Sequence, residues 1–176
     1  MKNFIRLFAI CGIWLFSNPG NAYDVRTADR ITRDTMFSSE GIVLTSKDCL
    51  STPGTFQPPV EISIVAKTDS TDLRIAYAAD QVIFNWQDNQ QELRVDGGPA
   101  SGKHKPDAGK IPTDQYVAIK WVVTARKQAI YVDNELRYEH KGDYSHIDKC
   151  VSVFPAVGSE VTVKSIQVRR LPTDAK

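Results

Sequence analysis

The chain is short of charge of one sign, of cysteine and of helical periodicity. Its 22 Lys and Arg nearly balance its 21 Asp and Glu, leaving a net charge of +1 over 176 residues. A nucleic-acid-binding surface usually shows as a basic excess, so the balance argues against one. With 41% hydrophobic and 24% charged residues the composition supports a core and excludes a disordered chain. No Asn-x-Ser/Thr sequon, internal repeat or low-complexity block is present. His104, His140 and His146 lack metal-ligand spacing, and no G-x-S-x-G serine elbow occurs. Gly97–Lys103 (GGPASGK) has phosphate-loop spacing, but His104 stands where a hydroxyl is needed and Pro106 blocks a following helix, so the match reads as chance.

The opening residues carry the first positive signal. Lys2 and Arg6 precede an apolar run, Leu7 to Phe16, and Gly20-Asn21-Ala22 forms a small-x-small site. This is the pattern of an export signal cleaved after Ala22, and the run is too short to span a bilayer. Cleavage removes two basic residues and no acidic one, taking the net charge to −1. It also removes Cys11, which leaves Cys49 and Cys150 for a compartment that permits disulfides. A Cys49–Cys150 bridge is therefore expected. Localisation is read as secreted or periplasmic.

Residues 23–37 read as a polar arm, and from Gly41 onward the period is two. Val60, Ile62 and Ile64 alternate with polar or smaller residues, as do Leu73, Ile75 and Tyr77, then Val82, Phe84 and Trp86, then Val117, Ile119, Trp121 and Val123. Half-buried strands have this signature. Val161 and Val163 fall out of phase with Ile166 and Val168, which predicts a bulge near Lys164-Ser165. Asp88-Asn89 and Asp133-Asn134 are tight-turn pairs. No segment carries an apolar helical stripe, so the fold class is an all-β antiparallel sandwich over 38–171, with a tail at 172–176. Residues 96–114, with four glycines and three prolines, form a long irregular connection.

Strands at 72–78, 81–87 and 90–95 should form a meander. Parity assigns Trp86 and Trp121 to the core and puts Arg74, Asn85, Glu92 and Arg94 on the outer face. Two planar donor arrays, an amide and an acceptor suit ligands bearing hydroxyls or carboxylates. An ordinary solvated face with cross-strand pairs is the competing reading. Tyr116 and Tyr131 lie opposite to the core residues of their strands and are candidates for exposed contacts.

The segments IYVDNELRY, GDYS, GSEVTVKSIQVRRL and VIFNWQDNQQELRV resemble the concanavalin A-like lectin/glucanase jelly rolls. They are nearest to the bacterial laminin G-like and 3-keto-disaccharide hydrolase-type domains, with Asn134 where glycine is usual in the hairpin. The resemblance implies a jelly roll and a carbohydrate partner, a polysaccharide or cell-surface glycan. It leaves activity open, and the E-x-D-x-x-E strand motif of the glucanase branch is absent. The leading expectation is a non-catalytic lectin-like domain with Asn85, Arg94, Arg74, Glu92 and Tyr116 as ligand contacts, and no catalytic residues are assigned. A glycoside hydrolase and an adhesive module without a small ligand are the alternatives. No cofactor is required. Calcium is common in the superfamily, but no ligand set is legible, and Asp143 and Asp148 stand without a supporting pattern.

Overall fold

The computed structural model describes residues 33–172; the export signal and most of the polar arm lie outside the described residues. Eleven strands make two antiparallel sheets. They are β1 (Arg33–Leu44), β2 (Leu50–Ser51), β3 (Val60–Thr68), β4 (Leu73–Ala76), β5 (Gln81–Phe84), β6 (Arg94–Asp96), β7 (Val117–Val123), β8 (Lys127–Val132), β9 (Glu135–Lys141), β10 (Ser152–Phe154) and β11 (Val161–Arg170). The six-stranded sheet runs β1-β11-β3-β7-β8-β9 and the five-stranded sheet β2-β10-β4-β5-β6. The first strand takes in residues 33–37, so the sandwich begins five residues before the expected boundary.

The period-two alternation does what it should. Every second residue of β3 and β7 is buried, and these meet Leu73, Ile75, Val82, Phe84, Val95 and Val153 of the other sheet in one core. Each large aliphatic side chain so buried contributes about 1.5–3 kcal/mol. Trp121 is core, as expected, and its indole N–H donates to Gln128 Oε1 at 2.9 Å. The β11–β3 register shifts between Val163 and Ser165, which is the expected bulge. Asp133 and Asn134 take φ of 49° and 69° at the β8–β9 hairpin, whereas Asp88 and Asn89 are not among the positive-φ residues.

The expected disulfide is not formed: Cys49 and Cys150 are both free. Ser51 pairs with Ser152 and Leu50 with Val153, so the register, extended by one residue, puts Cys49 opposite Phe154. Cys150 is four residues from that point, about 13 Å at the rise of a strand. A disulfide needs Cα atoms within about 7 Å. The thiols instead flank a serine pair, with Cys49 Sγ 3.6 Å from Ser51 Oγ and Cys150 Sγ 3.7 Å from Ser152 Oγ.

Residues 96–114 are a docked edge rather than a free loop. Leu93 and Lys105 exchange backbone hydrogen bonds, Gly102 N–H donates to Val95 O, and Ala100, Ala108 and Ile111 are buried. The segment covers the exposed side of β6, which a sheet edge otherwise leaves open to pairing. Gly97, Ser101, Gly102 and Lys103 spend their N–H groups within this structure, so no phosphate cradle forms there.

Candidate functional site

The expected meander exists: β4 pairs with β5 and β5 with β6, and Arg74, Ile83 and Arg94 stand side by side across the outer face. The next row is Ser51, Ser152, Ala76, Gln81 and Asp96. Ile83 points outward yet is 1% exposed and stays outside the main core cluster. Its cross-strand neighbours are Arg74 and Arg94, whose long stems are of the kind that cover apolar surface.

The polar atoms of this face form one chain. Arg74 Nη2 donates to Asp72 Oδ1 at 3.0 Å and Arg74 Nη1 to Gln81 Oε1 at 3.3 Å. Gln81 Nε2 donates to Asp96 Oδ2 at 3.0 Å, and Arg94 Nε donates to the same oxygen at 2.8 Å. The Arg94 guanidinium then lies 4.2 Å from the centre of the Trp86 ring. Arg94 is fixed through Nε and the indole, while its two terminal nitrogens make no hydrogen bond among the described residues. Asp72 is fully buried, with Oδ2 unpartnered.

Burial pushes the Asp96 carboxyl up. The hydrogen bonds from Arg94 and Gln81, with the charges of Arg94 and His104, outweigh that and hold it below the ordinary carboxylate range. Asp96 is therefore an acceptor rather than a proton donor near neutral pH.

The five expected contact residues separate. Arg74 and Arg94 share this face. Glu92 precedes β6 at the same parity as Arg94 and is half-buried. Asn85 is fully buried, so it is corrected from a ligand contact to a clamp. Its side-chain amide donates to Ile111 O at 3.0 Å and Ser70 O at 3.3 Å and accepts from Ile111 N–H at 2.9 Å. Tyr116 belongs to the opposite outer face, that of the six-stranded sheet.

Trp86 is the matching correction. The alternation of β5 ends at Phe84, and Asn85 has φ of 49°. This left-handed residue reverses the parity, turning the amide inward and the indole outward onto Arg94. Sequence reasoning also missed Asp72, Gln81 and Asp96. The signal for two of them was present, because Asp72 and Asp96 each sit two residues from an arginine on the same side of a strand.

Among the described residues no three His, Cys, Asp or Glu side chains converge as a metal-ligand group. Asp143 Oδ1 accepts from both the N–H and the hydroxyl of Ser145, and Asp148 Oδ2 accepts from Gln57. A surface depression lined by Ala125, Arg126, Gly142, Asp143 and Ser145 lies on other loops and gathers no part of the arginine network.

No protein-family model and no curated protein sequence matches the chain. Solved structures do. The Bacillus licheniformis beta-glucanase superposes with a TM-score of 0.56 at 9% identity, covering 88% of this chain and 100% of that one. The Caenorhabditis elegans galectin LEC-6 gives 0.52 at 11% identity, covering 70% and 90%. The exoplasmic/lumenal domain of VIP36 gives 0.53 at 10% identity, covering 81% and 86%. At such identities the likeness speaks for architecture alone, and this chain has the antiparallel β-sandwich jelly-roll fold of these structures.

Proposed function

We propose that the protein is an exported, non-catalytic carbohydrate-binding domain whose ligand lies on the outer face of the five-stranded sheet. The observation that carries the reading is Arg94: its guanidinium is held over the Trp86 ring and by Asp96, with its terminal donors open to solvent. Sugar hydroxyls need donors and acceptors fixed in a plane beside an apolar ring, and Arg94, Asp96 and Trp86 supply all three. The small residues Ser51, Ser152 and Ala76 leave a low floor in the adjoining row. Against hydrolysis, the two carboxylates of the network are each bound to an arginine, whereas glycoside hydrolysis needs one carboxyl able to give a proton.

The test is a titration of the protein with a panel of neutral oligosaccharides, read by tryptophan fluorescence. Saturable quenching is expected, with about tenfold weaker binding in Arg94→Ala, the loss of a hydrogen-bonding pair of donors. Silence across the panel at millimolar ligand would sink the proposal. Release of reducing sugar would overturn its non-catalytic part.

A further inference from the structure

The opposite outer face, that of the six-stranded sheet, is built differently. Tyr116, just before β7, carries two ammonium groups against its ring: Lys164 Nζ at 4.2 Å and Lys67 Nζ at 5.6 Å from the centroid. The ring is itself anchored, since its hydroxyl donates to Glu40 O at 3.2 Å. A Cβ on Gly41 (φ 94°) would stand 2.8 Å from that hydroxyl, so only glycine leaves the anchor room. The β11 bulge is what brings Lys164 here, because the extra residue lies between Val163 and Ser165. Further along, Lys120 and Tyr131 are cross-strand partners of β7 and β8, and Lys120 Nζ is 4.6 Å from that ring.

None of Lys67, Lys120 and Lys164 makes a salt bridge with a carboxylate among the described residues, although Glu61 and Glu139 on the same sheet do pair, with Arg169 and Lys127. Asp133, beside Ala118 between the two clusters, accepts from Ala118 N–H through Oδ1 at 2.9 Å. Tyr116 and Lys120 are four residues apart on the same strand line, so the clusters are separated by about 13 Å. The floor between them is Ala118, Val65 and Ser63, residues too short to obstruct an extended chain.

We propose that this face binds an acidic polysaccharide, a chain bearing carboxylate or sulfate groups, with Lys67 and Lys164 engaging one anionic unit and Lys120 another farther along. The tyrosine rings hold the ammonium groups in place, which lowers the entropy lost when a ligand engages them. The attraction is local: with the export signal removed the chain has a net charge of −1, so bulk charge does not draw a polyanion. Two clusters at this separation select a chain over a single small anion.

The experiment is calorimetric titration of the purified protein with polygalacturonate oligomers at low and at physiological salt. Dextran, duplex DNA and phosphatidylcholine–phosphatidylserine vesicles are the comparison ligands. Binding of polygalacturonate that weakens as salt rises is expected, with none to dextran on this face. Lys67→Gln/Lys164→Gln should weaken it by about tenfold or more and Lys120→Gln by about threefold. Lys67→Arg/Lys164→Arg should keep most of it, and so should Lys105→Gln, which lies beside β6 at the edge of the other sheet. Unchanged thermal unfolding of each variant establishes that the fold is intact. Wild-type affinity in the double Gln variant, equal loss in Lys105→Gln, no binding at low salt, or tighter binding of DNA or vesicles would each overturn the proposal.

Discussion

The two outer faces of the sandwich carry similar residue types and treat them in opposite ways. On the five-stranded sheet Arg74 and Arg94 pair with Asp72, Gln81 and Asp96, and one hydrogen-bonded chain crosses the face, leaving only the terminal nitrogens of Arg94 for a ligand. On the six-stranded sheet Lys67, Lys120 and Lys164 rest on tyrosine rings and leave their charge to solvent. The first arrangement is charge-balanced and built for short directional contacts. The second is a row of point charges held on aromatic rings, suited to local attraction of an anionic chain.

The sharpest way to break this contrast is to unbalance the first face. Arg74→Ala leaves the buried Asp72 carboxylate without its counter-ion, so a loss of about 3–5 kcal/mol in denaturant unfolding is expected. The lysine substitutions on the second face should change stability by less than about 0.5 kcal/mol, as surface changes do. Comparable losses on the two faces would dissolve the distinction.

A somewhat smaller effect is expected at the corner of the first face. Asn85→Ala removes the amide that holds Ile111 N–H and C=O, at a cost of about 2–3 kcal/mol for buried groups left unpaired. Faster proteolysis within 96–114 should accompany it. Unaltered stability together with lost glycan binding would instead restore Asn85 as a ligand contact.

The smallest effect is on the pH profile. Asp96 is held below its ordinary range in the folded state, so its contribution is fully present above the unfolded carboxylate value of about 3.9 and is lost as pH falls through the lower folded value. Acid unfolding curves of wild type and Asp96→Asn should therefore stay separated above about pH 4 and converge progressively as the pH falls below it. Curves that stay parallel down to low pH would show that the arginine pairing of Asp96 adds nothing to the balance of this face.

The strand alternation, the Asp133-Asn134 hairpin and the bulge at Lys164 were all legible, because each rests on neighbours in the chain. Val60 to Thr68 must alternate whatever surrounds it, and a phase slip between Val163 and Ile166 has one simple remedy. Parity also placed Arg74 and Arg94 together. It failed at Asn85 and Trp86, where one residue with positive φ exchanged inside for outside. Such a conformation is held by distant groups, here the backbone of Ile111 and Ser70, and leaves no local trace.

The cysteines show the same division. Their number and the export signal pointed to a bridge, but strand register set them four residues apart, and register is a property of the paired sheet. The sequence alone determined that this chain is an all-β sandwich with two-faced strands, since alternation and turn chemistry act over a few residues. Tertiary structure decided which arginine meets which carboxylate, which lysines share a tyrosine and which indole is outside. Those pairings depend on the strand order and register of segments as many as about a hundred residues apart, and only the closed sandwich fixes them.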